Sequence, residues 1–147
     1  MILIATYCSR DKAADPGKLP AIDRYLSRRI QAVYRAAISV GAEFRILSGK
    51  YGLLKASSEI PHYDLLLTSA DVPRMSARIA EQILQIEPTC AIFCSRTVEQ
   101  DPQVRPYRTA FSAACSMAGV EFTVVDMPEN EMRAESIAEL IKKFLPS

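Results

Sequence analysis

Four short apolar runs, Ile2 to Tyr7, Glu43 to Leu47, Thr89 to Phe93 and Glu121 to Val125, have strand length and are separated by helix-length segments. A chain patterned in this way has few options. Strand, helix and strand in repetition demand right-handed crossovers, and hence a largely parallel sheet covered on both faces. The expected fold class is therefore α/β: a three-layer α/β/α sandwich with a mostly parallel four-stranded sheet, formed by residues 1–147 as a single domain.

The intervening segments support this. From about Pro20 to Val40, residues Ile22, Leu26, Ile30, Val33, Ala37 and Val40 recur at helical spacing, and Gly41 supplies a stop. The other face of this first helix carries Arg24, Arg28 and Arg35. A second helix is expected after Asp71 as N-cap, with Pro73 in its first turn and Met75, Ile79, Ile83 and Ile86 facing inward until Pro88. A third starts near Arg105, with Pro106 early and Gly119 at its end. The last opens at Asn130 and buries Ile137, Leu140, Ile141 and Phe144. One stretch, Ser48 to Ala70, is longer than such a connection needs, and loops of that length often carry function.

About half of the residues are apolar and a quarter charged, which is ordinary globular usage. The first six residues are too short and too poor in basic residues for a leader or a spanning helix, so no membrane association or export is expected. Cys8, Cys90, Cys94 and Cys115 form no C-x-x-C pair and three lie in or beside apolar runs, which suits a reducing, cytoplasmic setting. The formal net charge of +1 conceals an asymmetry. Residues 1–60 hold ten Lys and Arg against five Asp and Glu, and residues 61–147 hold eight against twelve. A basic surface built from the first part would attract a phosphate-bearing ligand.

In open parallel sheets, ligands sit beyond the carboxyl ends of the strands. Each apolar run here leads into a polar segment: Cys8-Ser9-Arg10-Asp11-Lys12, Ser48-Gly49-Lys50-Tyr51-Gly52, Cys94-Ser95-Arg96, and Asp126-Met127-Pro128-Glu129-Asn130. In the first, Ser9 and Lys12 suit an anion, and a lysine nearby would also lower the Cys8 thiol pKa. A cysteine that ends a buried strand is more often packing. In the second, Gly49 and Gly52 would let backbone amides approach an anion while Lys50 adds charge, although the segment is not a Walker loop. A tight turn with a solvated lysine is the equal alternative. His62 is the one histidine, and neither a metal site nor a cofactor is expected around it. Beside it, Tyr63 offers an aromatic face for a base and Asp64 a carboxylate to orient water or bind a sugar hydroxyl. The alternative makes Tyr63 an anchor of the loop and Asp64 a turn cap. Arg96 suits a phosphate or solvent, and Glu129 either the ligand or solvent.

Taken in order, Cys8-Ser9-x-x-Lys12, Ile46-Leu47-Ser48-Gly49-Lys50-Tyr51-Gly52-Leu53-Leu54 and Ile60-Pro61-His62-Tyr63-Asp64-x-x-Leu67 resemble a small-domain family with the pattern CSxxK, LSAKYGL and I-x-PYD-x-x-L. That family is associated with 7-deazaguanine and tRNA-guanine transglycosylase-like proteins. Gly49 stands where alanine is usual, and His62 intervenes between Pro61 and Tyr63. The order of strands and helices also resembles the uracil-DNA glycosylase fold, without that family's motifs. The resemblance implies a nucleotide or modified-base pocket lined by Ser9, Lys12, Ser48, Lys50, Tyr51, Tyr63 and Asp64.

Three functions are weighed. In the leading one the chain is an enzyme acting at an N-glycosidic bond, as hydrolase or transferase. Lys12 and Lys50 hold phosphate, Tyr51 or Tyr63 stacks the base, and Asp64 orients water or stabilises the sugar cation. The second is a module that binds the nucleotide or modified base without chemistry, and the third an oligomeric scaffold domain. The expected partners are a nucleotide, a nucleoside or single-stranded nucleic acid, with a homo-oligomer as a further possibility. The modest net charge argues against tight non-specific binding to duplex DNA.

Overall fold

The computed structural model describes residues 1–128 and 133–145. It is a three-layer α/β/α sandwich around a five-stranded, mostly parallel sheet. In chain order the elements are β1 (Ile2–Tyr7), β2 (Lys18–Pro20), α1 (Ala21–Arg24), α2 (Arg28–Ser39), β3 (Glu43–Ser48), β4 (Gly52–Leu54) and β5 (Glu59–Pro61). They continue with α3 (Val72–Ile86), β6 (Cys90–Ser95), α4 (Arg105–Ala118), β7 (Glu121–Asp126) and α5 (Ala134–Lys142).

The main sheet runs β4-β3-β1-β6-β7. β1 pairs in parallel with β3 and β6, and β6 with β7, whereas β4 folds back antiparallel on β3 with Ser48 opposite Gly52. Five of the six residues of β1, β3 and β6 are buried in each case, as sheet strands covered on both faces require. Helices α2 and α5 pack together, and so do α3 and α4. The core between sheet and helices is filled by Ile4, Ile30, Val33, Ile46, Met75, Ile79, Phe93 and Phe111, all fully buried.

Four of the five strands are the apolar runs expected from sequence. The fifth, β4, comes from the stretch after Ser48, which is less irregular than its composition suggests and also holds β5, paired antiparallel with β2. β4 lies at the edge of the sheet. The side-chain amide of Gln82, on α3, covers it by accepting from the Leu53 amide at 2.8 Å and donating to its carbonyl at 3.1 Å.

The first helix departs from expectation. Instead of one helix from Pro20 to Val40, a single turn, α1, is followed by an extended Tyr25, and α2 begins only after Ser27, whose Oγ accepts from the Ile30 amide at 3.2 Å. This N-cap restarts the helix and changes its rotation relative to the core. As a result Arg24, expected outside, is fully buried, and Leu26, expected inside, is 56% exposed. The Arg24 guanidinium is accommodated by backbone oxygens alone: those of Ala13 at 2.6 Å, Asp15 at 3.0 Å, Gly17 at 2.7 Å and Ile60 at 3.3 Å. It ties the loop before β2 to β5.

The later helices lie close to expectation. α3 has Pro73 in its first turn, but Asp71 makes no capping hydrogen bond to it; Asp71 Oδ2 instead accepts from the Thr68 hydroxyl within a preceding 3-10 turn. α4 ends at Gly119 in the left-handed conformation, with φ 72°. In α5, Ile137 and Ile141 are buried, Leu140 is partly buried, and Phe144, expected inside, lies beyond the helix and is exposed. The proposed start of that helix at Asn130 lies outside the described residues.

Candidate functional site

After β1 the chain crosses to β3 on one side, and after β6 it crosses to β7 on the other. Neighbouring strands that send their chains in opposite directions leave a crevice beyond their carboxyl ends. A cavity of about 1160 Å³ opens there. Its floor is Tyr7 and Cys8 at the end of β1. Its walls are residues 9–12, Leu26 to Arg29 at the entry to α2, Asp64 to Leu66 of the long loop, Arg96, Asp101 and Gln103 from the region between β6 and α4, Tyr107 of α4, and Arg133.

Arg29 sits deepest. Five per cent of its surface is exposed. Its guanidinium lies 3.6 Å from the centre of the Tyr7 ring and donates to Thr6 Oγ1 at 2.6 Å, the Tyr7 carbonyl at 2.7 Å and the Cys8 carbonyl at 3.3 Å. Thr6 in turn donates to the Cys94 carbonyl at 2.8 Å, so Arg29 and Thr6 knit the ends of β1 and β6 together. Burial pushes the Arg29 pKa down, and Tyr7 and Cys8 pull against it. A guanidinium keeps its proton at neutral pH all the same. No carboxylate pairs with it among the described residues, so a permanent positive charge stands at the base of the cleft.

Buried hydroxyls cluster near Cys8. Tyr107 Oη accepts from the Leu67 amide at 3.1 Å and from the Cys8 thiol at 3.6 Å. Tyr63 Oη bonds to Ser48 Oγ at 2.8 Å and to Tyr25 Oη. Burial, with Cys8 nearby, raises the pKa of Tyr25, Tyr63 and Tyr107, so these phenols are neutral hydroxyls and not bases. Tyr7 is raised as well, by burial first, and donates to Asp101 Oδ2 at 3.2 Å.

The sequence-derived candidates divide into two groups. Cys8, Ser9, Lys12, Asp64 and Arg96 all line the cleft. Asp64 is exposed and has no hydrogen bond or ion pair among the described residues. Ser9 Oγ donates to the Asp11 carbonyl at 2.8 Å, and the Lys12 ammonium lies 4.7 Å from the centre of the Tyr63 ring. The segment from Ser48 to Gly52, by contrast, is absent from the lining. It is the hairpin turn between β3 and β4. The amides of Lys50 and Tyr51, which an anion cradle would need, both donate to Ser48 Oγ, at 3.0 and 3.1 Å. Gly49 is buried against the long loop, where a Cβ would stand 3.0 Å from the Leu67 amide nitrogen and 3.1 Å from Tyr107 Oη. Gly52 takes up φ 75°, which closes the turn.

Tyr63 is 7% exposed and meets Tyr51 edge-on at 5.4 Å. It thus anchors the loop and presents no open face to a base. Lys50 extends over both rings, 5.4 Å from Tyr51 and 5.8 Å from Tyr63. Asp126, at the end of β7, is paired with Arg108 at 2.6 Å. Glu129 lies outside the described residues.

Arg29, Tyr107 and Asp101 were not singled out by sequence, and Arg28 was named only as part of the outer face of the first helix. A signal existed for Arg29 and Tyr107. Arg29 shares a helix face with Val33 and Ala36, and Tyr107 with Ala110, Phe111 and Ala114, so each is a polar group among core positions. No group of three or more His, Cys, Asp or Glu side chains among the described residues could hold a metal, and no helix among them is long and apolar enough to cross a membrane. All four cysteines are free thiols. No protein-family model, curated protein or solved structure matches the chain.

Proposed function

We propose that the cleft between β1 and β6 binds the phosphate of a nucleotide or of single-stranded nucleic acid, and that the chain acts there on an N-glycosidic bond as a hydrolase or transferase. The charge of the cleft carries this reading. Arg10, Lys12, Arg28, Arg29, Arg96 and Arg133 outnumber Asp11, Asp64 and Asp101 along its lining. Arg29 matters most, since it is buried and its hydrogen-bond partners are neutral, so its charge is only partly offset, by Asp101 nearby. The amino-terminal end of α2 faces the same space and adds its partial positive charge.

Asp64 is the carboxylate for the chemistry. In hydrolysis it accepts a proton from water as the water oxygen bonds to the sugar C1′, while the base leaves with the electrons of the broken C–N bond and takes up that proton from Asp64, which restores the carboxylate. Lys12, Arg29 and Arg96 hold the phosphate. Neither Tyr51 nor Tyr63 lines the cleft, so base stacking on them is not part of this scheme.

The test is base release from nucleotides and single-stranded oligonucleotides, followed chromatographically. Asp64→Asn abolishes release and spares binding, whereas Arg96→Ala weakens binding. A second reading, a binding module without chemistry, is favoured by the absence of any partner that orients Asp64 among the described residues. Saturable binding with no release of base selects it. Failure of every phosphate-bearing ligand to bind removes both readings.

A further inference from the structure

The cleft does not end at Arg28. A second groove, about 740 Å³, runs along α2 and the start of α5, and shares Leu26, Ser27, Arg28 and Arg133 with the cleft. Its far end is marked by Arg35, which is exposed. Arg28 and Arg35 are seven residues apart on one helix and so stand on the same side of α2, roughly 10 Å apart along its axis. That distance is too long for one phosphate to touch both, and suits successive phosphates of one strand. Leu26, 56% exposed, lines both spaces where they join, just ahead of Arg28, and Leu65 at 43% and Leu66 at 44% line the cleft. Asp23 and Glu135 also line the groove, so its charge is not uniform.

Cations spaced along a continuous channel, with exposed aliphatic side chains where its two parts join and within the cleft, match a ligand that carries both anions and flat apolar groups. That is the chemistry of a nucleic-acid strand. An acidic peptide supplies the charge but no apolar plates between charges. We infer that the substrate is a single-stranded oligonucleotide, whose reacting nucleotide occupies the cleft while the flanking phosphates run past Arg28 to Arg35. This inference rests on the phosphate-binding reading of the cleft, and narrows it.

The full chain is titrated by fluorescence anisotropy with a labelled pool of random-sequence DNA and RNA pentamers, and by competition with nucleoside 5′-monophosphates and with oligoglutamate. The expected results are pentamer binding at least tenfold tighter than any monophosphate, and weak competition by oligoglutamate. Arg35→Glu should lower pentamer affinity about tenfold and leave monophosphate affinity unchanged. It should also flatten the salt dependence by about one ion for the charge removed. Equal affinity for pentamer and monophosphate, or an Arg35→Glu protein that binds pentamers normally, overturns the extended channel and leaves the nucleotide cleft intact. Oligoglutamate that competes as well as the pentamers overturns the nucleic-acid assignment. Absence of binding by monophosphates and pentamers alike overturns the cleft reading itself, and this inference with it.

Discussion

Tyr63 Oη and Ser48 Oγ lie 2.8 Å apart and tie the long loop after β5 to the turn that ends β3. The same serine oxygen accepts from the amides of Lys50 and Tyr51, so one buried atom closes the hairpin and anchors the loop that carries Asp64. Ser48→Ala removes the acceptor for both amides and a partner of the phenol. The expected cost is about 1–3 kcal/mol, the range for buried polar groups left unpaired. Urea unfolding reads this directly; a change within roughly 0.5 kcal/mol, the scatter of neutral surface changes, would show that the two amides and the phenol find other partners.

Arg29 and Arg28 are adjacent in sequence and opposite in environment. Arg29→Met leaves Thr6 Oγ1 and the carbonyls of Tyr7 and Cys8 without their donor, at an expected cost of about 1–3 kcal/mol. Arg28→Met, on an exposed side chain, should change stability by no more than roughly 0.5 kcal/mol. Both substitutions should weaken nucleotide binding. A pair of variants with matched stability and unequal affinity would contradict this division.

Gly49 and Gly17 test space and backbone separately. At Gly49 an added methyl group meets backbone at 3.0 Å, so Gly49→Ala is expected to cost roughly 1–3 kcal/mol through displacement of the loop at Leu67. At Gly17 nothing lies within 4 Å but φ is 78°, so Gly17→Ala should cost about 1–2 kcal/mol from conformation alone. Base release discriminates between them, since displacement of the loop moves Asp64 and the Gly17 change does not.

Alkaline pH should unfold the protein. Burial raises the pKa of Tyr7, Tyr25, Tyr63 and Tyr107, and lifts the Cys94 and Cys115 thiols to about 12. These groups keep their protons in the folded chain after the unfolded chain has released them. Their contribution is therefore complete below the unfolded pKa, about 8.5 for a thiol and about 10 for a phenol, and is lost as pH rises beyond it. Stability from urea titrations should fall from about pH 9 upward, most steeply above pH 10, where the phenols join the thiols. Phenolate absorbance from the four buried tyrosines should appear together with loss of the helical signal. Titration of those tyrosines in a chain that remains folded would contradict the assignment.

The layered fold was legible because its determinants are periodic: strand-length apolar runs and helical spacing each repeat over several residues. β4 was not, since three residues carry no readable period and the edge of the strand is satisfied by Gln82 from a distant helix. The break at Ser27 was missed because Leu26 and Ile30 fit a continuous helix equally well, and a serine within such a run declares itself an N-cap only through the bond to Ile30. At the site, sequence brought forward the segments that enter the cleft from β1 and β6. It overvalued the Ser48 to Gly52 turn, because glycines that admit an anion and glycines that close a hairpin look the same until the amides are followed to their acceptors. Sequence also left Arg29 unread, since periodicity marks a core face without showing which polar group will find carbonyls there.

The walls of the cleft come from residues 7–12, 26–29, 64–66 and 96–107, which are brought together only when β1 and β6 are paired and both helical layers are in place. The set spans residues 7–107 of the sequence, so a ligand that touches all of it distinguishes the assembled sheet and helices from a partly formed fold. Such a ligand stabilises the native state by RT ln(1 + [L]/Kd), about 2.7 kcal/mol at a hundredfold excess over Kd. The melting temperature of this protein is thereby a readout of occupancy, and ligands can be ranked by it before any reaction product has been identified.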